Sequence, residues 1–382
     1  MTKRKQAESD TATVSRVKHI LGVTEEELVR QTTRGRQKYI QAVTDGRGKE
    51  QLQFVNTQTK VTTPIGSFST PTIGELQQQV EALVDQEGAS EKNNRSTACQ
   101  FSCRYHVDIG ALQASLKTDD HCLIQIAGNF NCLNVSNRRT KPDSGSMVER
   151  AHVYKTQGPA ATFGTLAAHL YRVHFCMQSP PQNLYAGQTL QHQINLLDQV
   201  KDYAGTPVNG KITLTGTEQP IMDIDAVVAS VRVGLQTDCK VLYGRSAELL
   251  ANGPLVDQCH GAAVNFRSLS LDHSPKSAPP VWMAEKRPQI QTLARTVLRA
   301  AYEGVYLAAI VRQRKHLYLT LVGGGVFGNA ATVIVEELAR AHQRYASHAA
   351  SCLEHVYLCA FSPEDNVEHL LEAQGIKISR KA

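Results

Sequence analysis

The residues with the strongest claim to chemistry lie in the string HLYLTLVGGGVFGNAATVIVEELARAHQRY, where an apolar strand runs into a glycine turn and then a long amphipathic helix. Glycine tolerates positive φ and lets the backbone approach a ligand closely. Unpaired N–H groups at a helix start favour negative charge, by roughly 0.3–1 kcal/mol per interaction. Gly323, Gly324, Gly325 and Gly328, with Val326 and Phe327 among them, therefore form a candidate cradle for a phosphate or diphosphate. The competing reading is a tight strand-to-helix turn that binds nothing. Gly323, Gly325 and Gly328 also satisfy GxGxxG, but only one further strand, at Val356, follows them, and no acidic residue stands about 20 positions on, so a dinucleotide-binding half does not fit. A P-loop fails for want of a Lys followed by Ser or Thr, and neither GxSxG nor HExxH occurs.

A second string, HVDIGALQASLKTDDHCLIQIAGNFNCLNV, places Asp108 before a short helix and ends an apolar strand at Ala127, directly ahead of Gly128, Asn129, Phe130 and Asn131. Amides donate and accept at once, which suits a sugar diol; each also suits the turn that carries it. Asp108 reads equally as a helix N-cap. Glu303 lies inside the apolar helix AAYEGVYLAAIV, where a carboxylate is costly unless paired or protonated. It either faces a pocket or bonds a neighbouring loop. Cys99, Cys103 and His106, like Cys352 and His355, lack a full ligand set, so no metal is expected.

The elements that must position these residues alternate between strand and helix, as a sheet covered by helices on both faces requires. Strands are expected at Cys122–Ala127, Val227–Leu235, Val241–Tyr243, Val264–Phe266, Leu317–Val322 and Val356–Phe361, and helices at Ala160–Val173, Ile290–Val311 and Ala331–Tyr345. Residues 1–60 read as a basic helical arm, with Val14, Val17, Ile20 and Leu21 at helical spacing, Gly22 as a stop, and Thr24 with Glu27 as a capping box. The string TTPIGSFSTPTIGE is rich in turn formers, and a helical pattern resumes from Leu76 to Val84. Residues 61–382 form the main domain, with a Gln-, Asn-, Gly- and Pro-rich insertion near 178–220.

Composition narrows the class. A chain of 382 residues, 41% hydrophobic and 20% charged, is globular rather than disordered. Forty-one basic against 35 acidic side chains leave +6, a mild bias towards anionic partners. Nine scattered cysteines without a CxxC pair suit a reducing compartment, and the polar start MTKRKQAESD argues against a secretory signal. A cytoplasmic location is the expectation, in the host cytosol if the chain is a secreted effector. The uncharged run Leu317–Val335 approaches a membrane span in length, but its glycines mark strand, loop and helix. A nucleic-acid adaptor using the basic arm with Arg138, Arg139 and Lys141 is a further class, one that would show steep salt dependence.

Taken together, Asp108-Ile109, the strand leading to Asn129 and Asn131, the late VGGGVFG turn and a last strand ending in Phe361 resemble a macrodomain. VGLQTDCKVLYG, VDQCHGAAV, AAYEGVYLAA and LTLVGGGVFGN resemble more narrowly the enlarged, divergent MavL-type effector macrodomains. The resemblance implies a three-layer α/β/α fold with a mixed central sheet. It also implies ADP-ribose, or an ADP-ribosylated protein such as a modified ubiquitin-like substrate, as partner, with no cofactor, no membrane and no nucleic acid. Asp108 would meet the adenine amino group and Phe361 would stack on the ring. Gly323 to Gly328 would wrap the diphosphate, and Asn129 and Asn131 would reach the ribose beside the bond to be cleaved. The segment NVSNRRTKPDSGSMVERA stands where macrodomains carry a glycine run. Catalysis would then fall to carboxylates in the divergent strings, Asp238 first, Asp257 assisting, with Glu303 and Glu149 next. The implied activity is hydrolysis of an ADP-ribosyl linkage; the alternative is a non-catalytic reader. Asp238 is open to a plainer role as a solvated turn residue.

Overall fold

The computed structural model describes residues 16–44, 48, 50–87, 98–134, 141–149, 151, 157–179, 184–269, 281–360 and 366–380. In chain order the strands are β1 (Ile40–Thr44), β2 (Glu50–Val55), β3 (Thr62–Ser69), β4 (Gln100–Tyr105), β5 (Cys122–Ala127), β6 (Met177–Ser179), β7 (Leu184–Ala186), β8 (Gly234–Lys240), β9 (Leu255–Gly261), β10 (His316–Thr320) and β11 (His355–Ala360). β6 and β7 make a separate ribbon, and the rest form one nine-stranded sheet in the order β1-β2-β3-β8-β9-β5-β10-β11-β4. Pairing is antiparallel from β1 through β3 and β8 to β9. It is parallel from β9 through β5, β10 and β11 to β4, so five strands present their carboxyl ends along one edge.

Strands buried on both faces read as apolar runs, and CLIQIA, HLYLT and HVYLCA are such runs. Leu123, Leu317, Leu319, Val356 and Leu358 enter a core shared with the helices Arg287–Val311 and Ala331–Tyr345. Ile124, Ile126, Tyr318 and Cys359 alternate to the other face, against Ala161 and Ala168 of the helices Gln157–Gly164 and Leu166–His174. The result is an α/β/α sandwich around a mixed sheet. Among the described residues no helix is long and apolar enough to cross a membrane.

Several elements depart from the sequence expectations. The run Val227–Leu235 is divided: Asp223 accepts the Ala226 N–H at 3.0 Å and caps a helix, Ile224–Ser230, and β8 begins only at Gly234. Val241–Tyr243 and Val264–Phe266 hold no strand; β9 lies between them. The helix expected at Ala160–Val173 breaks at Thr165. The turn-rich string contains β3, whose Pro64 and Gly66 sit where the register with β2 shifts. A Cβ at Gly66 (φ +80°) would lie 2.0 Å from the Thr237 carbonyl oxygen, so close strand approach requires glycine there.

At the N-terminus the helix 16–21 stops at Gly22, and the Thr24–Glu27 capping box forms both its bonds. Val14 lies outside the described residues. β1 and β2, which precede residue 60, belong to the nine-stranded sheet. Glu25 is fully buried and accepts the N–H groups of Met147, Val148 and Glu149, with His174 Nε2 at 2.8 Å. Burial, and after it the Glu25 carboxylate, push the Glu149 carboxyl up to about 7 from its usual 4.5. The folded state thus holds this proton more tightly than the unfolded chain. The Glu149 contribution to stability is full below about pH 4.5 and is lost as pH rises through about 7. Glu149→Gln, which keeps the neutral shape, should flatten the fall in melting temperature between these limits; thermal scans against pH check this, and an unchanged slope contradicts it.

Candidate functional site

The carboxyl ends of β5, β9, β10 and β11 open into one cleft of about 660 Å³, the position where parallel α/β sheets bind ligands. Its most distinctive wall is the loop after β10. Tyr302, buried in the long helix, donates its hydroxyl to the Thr320 carbonyl at 2.8 Å and accepts the Val322 N–H at 3.2 Å. Gln125 of β5 accepts the Thr320 N–H at 3.1 Å. Asn329 closes the far side: its backbone N–H donates to Gly323 O, and its Nδ2 donates to both Gly323 O and Val264 O. Gly323 (φ +78°) and Gly328 (φ +74°) take the left-handed conformations that turn the chain there. A Cβ at Gly325 would meet nothing within 4 Å, so that residue faces open space. Among the described residues, the N–H groups of Gly325, Val326 and Phe327 have no backbone acceptor.

The opposite wall comes from the end of β5 and from Lys211. Gly158, in the first turn of its helix, packs so closely that a Cβ would lie 2.1 Å from the Ala127 carbonyl oxygen. Neighbouring Gln157 donates to Val107 O at 3.3 Å. Ahead of Lys211, Asn209 and Gly210 take positive φ in a tight turn whose ends, Val208 and Lys211, exchange backbone hydrogen bonds. Phe130 donates its N–H to Gly210 O at 2.7 Å, which fixes this turn over the end of β5 and puts Lys211, 6% exposed, on the cleft wall. Asn134 Nδ2, Gln157 Oε1, Thr320 Oγ1 and Asn329 Oδ1 all belong to cleft-lining residues and are buried without a partner among the described residues. Such atoms are costly unless something bonds them. Cys359, also on the wall, has its thiol pushed up to about 12 by burial, with Arg104 opposing that shift.

The sequence expectations divide here. Gly323 to Phe327 and Asn129 line the cleft, while Gly328 closes the loop without lining it. Asn131 does not line it: its Nδ2 donates to Gln193 and its Oδ1 accepts the Leu133 N–H. Asp108 caps the helix Ile109–Ser115 by accepting the Ala111 N–H at 2.8 Å, lies 3.6 Å from Arg245, and is not on the cleft wall. Phe361 falls outside the described residues.

The expected catalytic acids are placed elsewhere. Asp257 pairs in register with Leu123, near the amino ends of the parallel strands, whereas the cleft lies past Ala127. Asp238 is in β8 at a register shift, with φ +53°, and donates its N–H to Asp257 at 2.8 Å. Arg312 and Arg314 bridge both carboxylates. Burial works against the Arg312 charge, but Asp257 and Asp238 outweigh it and raise its pKa. Glu303 is buried against Arg299, Arg344 and the Tyr345 hydroxyl, joining two helices. These three acids brace the scaffold and do not reach the cleft. Lys211, Asn134, Gln157 and Asn329 were not singled out as site residues from sequence; Asn209-Gly210 ahead of Lys211 is the hairpin signal that marks the first.

No family model and no curated protein sequence matches the chain. Among solved structures it is similar to poly(ADP-ribose) glycohydrolase from Thermomonospora curvata, at 14% identity over 92% of this chain and 98% of that one, with a TM-score of 0.46. It is also similar to poly(ADP-ribose) glycohydrolase from Deinococcus radiodurans in complex with ADP-ribose, at 14% identity over 81% and 94%, with a TM-score of 0.45.

Breaking a buried ion network by removing one member costs about 3–5 kcal/mol. Asp257→Asn should therefore lower the urea midpoint substantially, and Asp238→Ala less, because Asp238 is partly exposed. Neither should change the affinity of a cleft ligand by more than about twofold, a difference below roughly 0.5 kcal/mol. Titrating one ligand into both variants tests this placement.

Proposed function

We propose that the cleft binds ADP-ribose, free or attached to a protein. The observation that carries this is the loop Gly323–Gly328: three successive N–H groups without backbone acceptors, at Gly325, Val326 and Phe327, beside a glycine that faces open space. That is the arrangement a diphosphate needs, since its oxygens only accept and must lie against backbone. Lys211 adds positive charge from the facing wall. Asn129, Asn134 and Gln157 supply amides to a ribose or to the edge of a base. The macrodomain resemblance of the same strings supports this ligand over other diphosphates.

Recognition is the reading the cleft supports best, because among the described residues its wall contains no Asp, Glu or His. Hydrolysis of an ADP-ribosyl linkage is the second reading. It is favoured by the juxtaposition of Asn129 with the Lys211 turn: a Cβ at Gly210 would lie 2.9 Å from the Asn129 Cβ. In that role Asn129 orients water and the Lys211 ammonium offsets negative charge on the departing group.

Calorimetry of metal-stripped protein with ADP-ribose should show one site. Gly325→Asp, which has room for its side chain, should leave the melting temperature unchanged and weaken binding by about tenfold or more, because it sets a carboxylate against the diphosphate. No heat at millimolar ligand overturns the assignment. Mass spectrometry of arginine-, serine- and glutamate-linked ADP-ribosylated proteins before and after incubation separates reader from hydrolase.

A further inference from the structure

Between the helix Leu166–His174 and the sheet lies a second polar group, separate from the cleft wall. Arg172 is fully buried and makes one side-chain hydrogen bond, from Nη1 to Gln236 Oε1 of β8 at 3.0 Å. Among the described residues its Nε and Nη2 have no partner. His169, one turn earlier on the same helix, and His260 of β9 are each 1% exposed, and both nitrogens of both rings are unpartnered. Gly234 pairs with His260 across β8 and β9, and a Cβ there would lie 2.4 Å from Cys132 Sγ and 3.2 Å from His260 Cβ. The Arg172 charge acts on both imidazoles and on the Cys132 thiol, so the four side chains belong to one buried layer on that face of the sheet.

Charge and hydrogen-bond balance are both unmet in this layer. Burial lowers the Arg172 pKa to about 10, so the side chain is still a cation at neutral pH. Among the described residues no carboxylate pairs with it; Glu25, which meets His174 of the same helix, is occupied by that ring and by backbone N–H groups. Burial pushes the nearby thiols of Cys132 and Cys176 up to about 12, so they stay neutral and supply no countercharge. Burial, followed by the Arg172 charge, also holds His169 and His260 well below the usual imidazole range, so each ring brings one N–H and one lone pair. Arg172 Nε and Nη2 contribute three N–H groups and no acceptor. Donors thus exceed acceptors around a positive charge. A water molecule donates as many hydrogens as it accepts and leaves that surplus standing, whereas an anion only accepts.

We infer that Arg172, His169 and His260 hold one small monovalent inorganic anion of the halide class inside the fold. A monatomic ion suits three side chains that are 1% exposed or less better than a phosphate or carboxylate, which brings several oxygens that each need a donor. The ion neutralises the buried guanidinium and links the helix Leu166–His174 to β8 and β9.

The probe is chloride, exchanged for gluconate at constant ionic strength. The wild-type melting temperature should rise by several degrees with chloride, saturating as a single site, because a ligand bound only by the folded state stabilises it. Arg172→Met should lose this response while keeping its buried volume. An equal melting temperature in both salts, or an unaltered chloride response in Arg172→Met, overturns the proposal. If Arg172→Met does not fold, wild-type crystals grown in bromide decide: an anomalous peak among Arg172 Nη2, His169 and His260 is the expected result, and its absence refutes the site.

Discussion

A loop built mostly on glycines has few side chains with which to keep its own shape, and here only Phe327 packs against the main core. Here the shape is imposed from outside, by a tyrosine hydroxyl at one end and an asparagine amide at the other. Tyr302 bonds both sides of the strand-to-loop transition, and Asn329 returns the chain to Gly323 and ties it to Val264. Both residues are buried, so water competes little for these bonds. The loop can then leave several N–H groups uncommitted without collapsing onto them. The long helix matters to the cleft chiefly because it brings Tyr302 to that point.

Much of this scaffold was legible in the residues, and the pattern of what was not is instructive. β5, β10 and β11 are apolar runs and the helix Ala331–Tyr345 is an amphipathic repeat behind a glycine turn, and local composition suffices to find them. β8 and β9 escaped because the apolar stretch before β8 belongs half to a helix capped by Asp223, and because β9 carries Asp257, Gln258 and His260 on positions that pattern reasoning reserves for apolar residues. Their partners, Arg312, Gln113 and the layer under Leu166–His174, lie far away in sequence. Buried polarity is invisible until the fold brings both halves together.

The same limit explains the acids. Asp238, Asp257 and Glu303 are of the right type for hydrolysis, and the sequence offers no sign that arginines from a distant helix end would claim two of them and a helix pair the third. The glycine turn is the opposite case. Its shape follows from backbone geometry, which glycine content announces, and so its place in the cleft could be anticipated. Lys211 falls between: its hairpin turn is readable, but that Phe130 would seat the turn over β5 is not.

The strand order has a consequence for how this protein is made. Among the described residues, β4, near residue 100, pairs along its length with one strand, β11, near residue 355, and by a single bridge with Ile378. β5 likewise waits for β9 and β10 before either of its edges is covered. During synthesis, which proceeds from the N-terminus, two strands with unsatisfied backbone edges are exposed while more than half the chain is still to come. A nascent chain of this topology is expected to depend on chaperones that shield strand edges until the last strand emerges from the ribosome. Its folding rate should be set by that long-range closure rather than by the formation of any helix.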